Sequence, residues 1–355
     1  MEAEAKMGLV EHHQALRRPQ HPVCSICIAN YNGSGLLEDC LDSVLSQQGD
    51  VSIEIIVHDD ASTDESVALL CAKYPQVEVL AGLENAGFCI GNNRMVAHAR
   101  GEFVLLLNND AALHSDALLT LLEAARAQSP AGILTMPQYD WETNELVDRG
   151  CLLDLFYNPV PNLDRSRSEV AMGIGACLFL PRSLWNHLGG FPEWMGSIAE
   201  DMFLSCRARL QDMPVQVTQS SGYRHRQGAS FGGSRVDANR LQTTFRRRRL
   251  SERNKTAVMV ICTPTLLVWP LVVLHAFVLA IEGVALTLFR MDSRIWREIY
   301  APTLWYVFSD LGRLRKLRQE VQLSRRTTLR KYARCMTLLP RKLAMLLRYG
   351  VPTLK

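Results

Sequence analysis

From Val23 onward, short runs of consecutive apolar residues alternate with segments whose apolar positions recur every three or four residues. The runs predict buried strands at Cys24–Ala29, Ile53–His58, Val77–Ala81 and Phe103–Leu107. The periodic segments predict helices at Leu36–Gln47, Glu65–Lys73, Gly91–Ala99 and Asp116–Ala127. Strand followed by helix, repeated, predicts an α/β fold with a Rossmann-like, mostly parallel sheet. Residues 1–20 are polar and read as a flexible tail, and residues 21–250 as the domain that carries the sheet. No apolar signal segment opens the chain.

In such sheets, ligands bind beyond the carboxyl ends of the strands. The polar residues there are Asn30-Tyr31-Asn32, Asp59-Asp60 and Asn108-Asn109-Asp110. A phosphate loop should follow the first strand in dinucleotide-binding or P-loop proteins. Asn-Tyr-Asn-Gly-Ser-Gly stands there instead, without the lysine or the glycine spacing. Carboxylates gathered where phosphates would lie call for a divalent cation, Mg²⁺ or Mn²⁺, to bridge a diphosphate.

Composition excludes several classes. At 48% hydrophobic and 21% charged over 355 residues, the chain is neither disordered nor low-complexity. Its net charge of +3 conceals an asymmetry. From Thr256 onward, 16 Lys+Arg face 5 Asp+Glu, a net of +11, which leaves −8 on the preceding residues. Such a tail suits an anionic partner. The ten cysteines sit mostly in apolar runs without paired spacing. Cys24 and Cys27 should point to opposite faces of a strand, which argues against a zinc knuckle. A reduced, cytosolic protein is expected.

The segments CSICIANYN, IEIIVHDDASTDES, LENAGFCIGNN, GEFVLLLNNDA and AEDMFLSCRARL occur in this order. Together they resemble family 2 glycosyltransferases of the GT-A fold, in particular the rhamnosyltransferase-type branch, over about Val23 to Asn254. The resemblance implies an inverting, metal-dependent enzyme using a dTDP- or UDP-sugar. Asp60 would accept a hydrogen bond from the imide N–H of the base, with Tyr31 against the ring. Ala29, Asn85, Gly87, Asn93 and Asn109 would line the donor site, Asn109 towards the ribose. Asp110 would be the charged metal ligand, joined by His225 in the Tyr223–Ser230 segment. Gly175, Ala176 and Gly190 would lie on the acceptor side. Asp201 would be the general base, with Glu200 beside it. Glu252-Arg253-Asn254 resembles the family's Arg-Asn pair. Local chemistry alone would make Ser62 or Asp64 a helix cap, and Glu200-Asp201 an acidic pair at a helix start.

Residues 251–355 read as a membrane-associated region. No Lys, Arg, Asp or Glu occurs from Thr256 to Ile281, long enough to span a bilayer, yet Pro264 and Pro270 interrupt it and cations flank both ends. That pattern predicts an apolar helical hairpin with both ends cytosolic, followed by in-plane basic helices on the anionic inner leaflet. Nucleic acid is excluded as partner by the apolar hairpin. The expected reaction is transfer of one sugar, such as rhamnose, to a polyprenyl-diphosphate-linked saccharide. It would take place at the cytoplasmic face of the inner membrane, on a monotopic or peripheral protein, in cell-surface polysaccharide synthesis. Gln242-Thr-Thr-Phe245-Arg246 lacks the tryptophan that ends the processive synthases' motif, which favours single addition. The alternatives are a nucleotidyltransferase, whose phosphate loop is missing, and a non-catalytic GT-A membrane scaffold.

Overall fold

The computed structural model describes residues 10–228, 235–237, 240–351 and 353–354. Its central sheet has eight strands. In chain order the first elements are β1 (Val10–His13), β2 (Cys24–Asn30), α1 (Ser34–Leu45), β3 (Ile53–Asp59) and α2 (Ser66–Lys73). Next come β4 (Val77–Gly82), α3 (Phe88–His98), β5 (Phe103–Asn108), β6 (Ala111–Leu113) and α4 (Ala117–Ala127). Then follow β7 (Ile133–Thr135), β8 (Gln138–Asp140), β9 (Cys177–Pro181), α5 (Glu200–Leu210), β10 (Val215–Val217) and β11 (Tyr223–His225). The C-terminal third holds α6 (Phe245–Cys262), α7 (Val268–Arg290), α8 (Ala301–Ser309), α9 (Leu311–Leu323) and α10 (Arg341–Tyr349).

The sheet order is β1-β4-β3-β2-β5-β9-β7-β10. Strands β4, β3, β2 and β5 are parallel, as expected. β1 and β9 run antiparallel to their neighbours, so the sheet is mixed. Both faces of β2 are buried, which explains its unbroken apolar run. Cys24, Ile26 and Ile28 face a core with α1 and α4, and Cys27 faces a second core with α3, α5 and α6. Cys24 and Cys27 therefore point apart, and all ten cysteines are free thiols. The chain reverses direction across the sheet at β2, with β3 on one side and β5 on the other. The ends of these three strands form the crevice where such sheets bind ligands.

Two sequence expectations need correction. Residues 10–18 are not a loose tail. β1 pairs with β4, and Arg18 bonds Glu54 at 2.8 Å and Glu78 at 3.1 Å, both carboxylates almost wholly buried. Val10–His13 carries no apolar run that would mark it as a strand, because an edge strand can be mostly polar. Burial alone would raise the Glu54 carboxyl, but hydrogen bonds from Ser25, the Arg100 amide and Arg18 outweigh it and hold it below its usual range. Losing the partner of a buried charge is costly. Arg18→Ala should destabilise the fold by about 3 kcal/mol in urea unfolding. A shift under about 0.5 kcal/mol, the size of an ordinary surface substitution, would contradict this anchoring.

The expected apolar hairpin does not expose both of its arms either. Its first arm is the end of α6, where Ala257–Cys262 are completely buried in the same core as α3 and α5. Only the second arm, α7, exposes an apolar face. The expected basic in-plane helix at Arg313–Arg318 is also partly internal. Arg318 on α9 donates to the Val260, Thr263 and Thr265 carbonyls and so closes the carboxyl end of α6.

Candidate active site

The loop between β2 and α1 is tied to the ends of β3 and β5 by side-chain amides. The Asn30 amide donates to Asp59 (2.8 Å), and the Asn109 amide donates to Asn30 Oδ1 (2.7 Å). Gly33 is required by this packing, since a Cβ there would collide with both Asn30 and Asn109. Asp59 also accepts from the Ser62 amide and hydroxyl. Asp64 accepts from the Ser66 amide and hydroxyl just ahead of α2, whose N-cap position is Glu65 rather than Ser62 or Asp64. The sequence places Asn30 and Gly33 in this loop but not their tasks, because a strand-end amide and a turn glycine carry no signal of what they touch.

Asp60 turns towards the next loop. Its two oxygens accept from the Ala86 and Gly87 amides at 2.7 and 2.9 Å, while the Asn85 amide donates to the Asp60 carbonyl at 3.3 Å. Burial raises the Asp60 carboxyl above its usual range despite these two amides. Gly87, at φ +92°, makes the left-handed turn that opens α3. Tyr31 is half exposed at the end of β2, its ring available, and Ala29 lies within β2 between His58 and Asn108. Asn93 has another occupation. It accepts from the Phe191 amide and donates to the Phe191 carbonyl, clamping the Gly190 turn. Donor and acceptor candidates are thereby joined through Asn93, and its amide is committed to backbone.

Asp110 lies just beyond β5, buried, with its Oδ1 3.0 Å from His225 Nε2. Residues β6 and β11 pair to bring them together, His225 opposite Ala111. The Tyr223 hydroxyl donates to Gln138 Oε1 (2.8 Å), and His225 Nδ1 donates to the same oxygen at 3.2 Å. That contact aims Nε2 at the Asp110 carboxylate. Two lone pairs facing each other need a cation between them, either a proton or a metal ion. A carboxylate oxygen and an imidazole nitrogen, oriented from behind, form a donor set suited to Mn²⁺ or Mg²⁺. Ser230, from the same motif, lies outside the described residues.

The third group sits at the start of α5. The Asn108 amide donates to the Ala176 carbonyl, and the Gly175 amide donates to Asp201 Oδ2 at 2.9 Å. The β5–β9 junction thus ties the strand end that leads into Asp110 to Asp201. Asp201 Oδ1 also accepts from the Met202 amide. Ile198 and Ala199 both adopt φ +70°, a strained approach for residues with side chains. The Asn254 amide holds it in place by donating to the carbonyls of Met195, Ser197 and Ile198. Sequence located the Arg-Asn pair but not this task. It also missed Arg247, on the first turn of α6, whose charge acts on both Glu200 and Asp201.

Glu200 is buried, and its Oε2 has no hydrogen-bond partner among the described residues. Burial, and then the Asp201 charge, push its carboxyl up to about 8. Burial raises the Asp201 carboxyl as well, but the Gly175 and Met202 amides stabilise its anion, which favours placing the pair's proton on Glu200. Its folded value stands above the ordinary 4.5, so the stability it contributes is full below 4.5 and is lost as pH rises towards 8. Glu200→Gln resembles the protonated form. Denaturant melts should show the native chain losing stability relative to this variant between about pH 5 and 8. Parallel pH profiles for the two would show that Glu200 is already ionised in the fold.

Comparisons with known proteins bear on this arrangement. Residues 25–188 match the model described as "Glycosyl transferase family 2". The succinoglycan biosynthesis protein ExoO of Rhizobium meliloti is 29% identical over 210 residues, covering 57% of this chain and 60% of that protein. The chain spans 60% or less of the length of the first curated relatives it matches. Among solved structures, the mannosyltransferase PcManGT of Pyrobaculum calidifontis, in complex with GDP-Man and Mn²⁺, aligns with a TM-score of 0.50 at 16% identity. That alignment covers 91% of this chain and 92% of the other. GalNAc-T7 with UDP, GalNAc and Mn²⁺ aligns at 0.58 with 12% identity, over 93% of this chain and 58% of the other. At these identities the structures share the fold.

Proposed function

We propose that this chain, whose residues 25–188 match the glycosyltransferase family 2 model, is an inverting, metal-dependent glycosyltransferase of polysaccharide synthesis. The donor is a UDP- or dTDP-sugar, with dTDP-rhamnose the first to try. The acceptor is a polyprenyl-diphosphate-linked saccharide at the cytoplasmic face of a membrane. One observation carries the reading: two carboxylate centres, Asp110 with His225 and Asp201 with Glu200, adjoin a single strand junction. Such a pair divides the labour of a displacement reaction.

Asp60 and Tyr31 would hold the base, with Asn109 near the ribose. Asp110 and His225 would hold the divalent cation. When bound, the cation offsets negative charge on the departing diphosphate. Asp201 takes the proton from the acceptor hydroxyl, whose oxygen attacks the anomeric carbon opposite the diphosphate. The carbon–oxygen bond to the diphosphate breaks, and the configuration inverts. Glu200, carrying its proton, leaves Asp201 as the base and Arg247 limits the local negative charge.

The test is a panel of UDP-, dTDP- and GDP-sugars incubated with the chain and a polyprenyl-diphosphate saccharide, with Mn²⁺ or with chelator. Metal-dependent release of nucleoside diphosphate from a pyrimidine donor is expected. Equal release in chelator, or none from the whole panel, would sink the reading.

A further inference from the structure

Helix α7 is apolar on two opposite sides. Val268, Val272, His275, Leu279 and Gly283 face the protein and are buried. Leu267, Leu274, Phe277, Ile281, Val284 and Leu288 form the opposite stripe, and Phe277 and Leu288 are 64% and 67% exposed. An apolar ridge of that length is far more than scattered surface leucines. Length and composition alone would let α7 cross a bilayer. Its surroundings do not. The segment before it is closed by Arg318 and Arg325 of the following helical region, which donate to the Thr263 and Pro264 carbonyls. Beyond it, Ile299 and Tyr300 pack back against Leu279. In the middle, Glu282 bonds Arg248 of α6 and Lys342 of α10. Both ends and the centre belong to one body.

The Lys342 contact also brings α10 alongside. Lys342 reaches Glu252 (2.7 Å) and Glu282 (2.6 Å), and the Arg290 guanidinium donates to the Val351 carbonyl just beyond α10. The two helices therefore run side by side in the same direction. On α10, Leu343, Leu346 and Leu347 are exposed, and its sequence RKLAMLLRY has no acid and, besides the inward-turned Lys342, the cations Arg341 and Arg348. The one acid of α7, Glu282, is turned inward to its partners. No carboxylate of either helix faces outward.

We propose that the outer faces of α7 and α10 form one in-plane docking surface for an anionic lipid bilayer, with neither helix crossing it. A second copy is a poor occupant, because two segments of net +11 would be brought face to face. An anionic leaflet complements both the apolar stripe and the cations. The surface also lies close to the chemistry. Successive residues on the first turn of α6 connect them: Arg247 acts on Glu200 and Asp201, and Arg248 bonds Glu282 of α7. Docking would hold Asp201 near acceptors embedded in the membrane, and this consequence rests on the transferase reading above.

The full chain should float with phosphatidylcholine vesicles containing phosphatidylglycerol, and more weakly with phosphatidylcholine alone. Phe277→Glu and Leu347→Glu alter exposed side chains and should each weaken retention by about tenfold or more. An environment-sensitive dye at Phe277→Cys or Leu347→Cys, in a Cys71→Ser background, should be quenched by shallow lipid spin labels at both positions. No retention, retention unchanged in the glutamate variants, or deep quenching at Phe277→Cys would each overturn the proposal. So would a concentration-dependent dimer that the same variants abolish. Nucleoside diphosphate binding with Mn²⁺, measured without vesicles, should persist in both glutamate variants. Its absence from the wild-type chain would count against the transferase reading and leave the docking surface standing.

Discussion

Changing Asp201 to asparagine is expected to lower turnover by about 10²–10⁴-fold while donor affinity moves by less than about threefold. The substitution keeps the shape of the side chain. Its one oxygen can still accept from the Gly175 amide, which keeps the β9 contact, while the acceptor for the neighbouring Met202 amide is given up at the start of the α5 turn. What is lost for the chemistry is the ability to take a proton, and circular dichroism and donor affinity report whether the lost Met202 contact matters to the fold. Because the base acts on the acceptor hydroxyl, it makes no differential contact with bound donor, and the loss should fall on kcat. Glu200→Gln should retain most turnover near neutral pH, since burial and the Asp201 charge favour the protonated form that glutamine resembles. Near-normal rates in Asp201→Asn with an inactive Glu200→Gln would exchange the two roles. Activity in both would remove this pair from the chemistry.

The second large effect is expected at Asp110. Asp110→Asn should weaken metal-dependent nucleotide binding by at least about 100-fold, since even positioning groups around metal ligands are worth about 10–100-fold. Asparagine preserves size and can bond His225, but it removes the charge that makes the pair a cation site. Chelator should have the same effect on the native chain. Titration calorimetry with UDP or dTDP, with and without Mn²⁺, checks both. Tight binding in chelator would show that backbone amides alone carry the diphosphate.

The strands and their ends were readable because parallel strands buried on both faces leave unbroken apolar runs, as in Ile53–Asp59 and Phe103–Asn108. Site residues that follow such strands were readable for the same reason. Asp110 and His225 are 115 positions apart, and only the resemblance to a family linked them before β6 and β11 were seen to pair. Other features had no local pattern. β1 is short and polar, and its anchoring depends on Glu54 and Glu78 of distant strands. The apolar stretch after Thr256 fooled the pattern because a core helix and a lipid-facing helix share composition. What separates α6 from α7 is which other helices cover them. The Asn93 clamp on the Phe191 backbone had no local pattern either, as an amide near a loop can bind a ligand or hold a turn.

Direct displacement driven by Asp201, at a sugar whose diphosphate leaves from the Asp110 side, inverts the anomeric carbon, as proposed above. Proton NMR of the newly formed glycosidic bond tests it most directly, using an active donor from the nucleotide-sugar panel and a saccharide acceptor. The anomeric configuration of the product should be opposite to that of the donor. A product that retains the donor's configuration would contradict single displacement and the role given to Asp201.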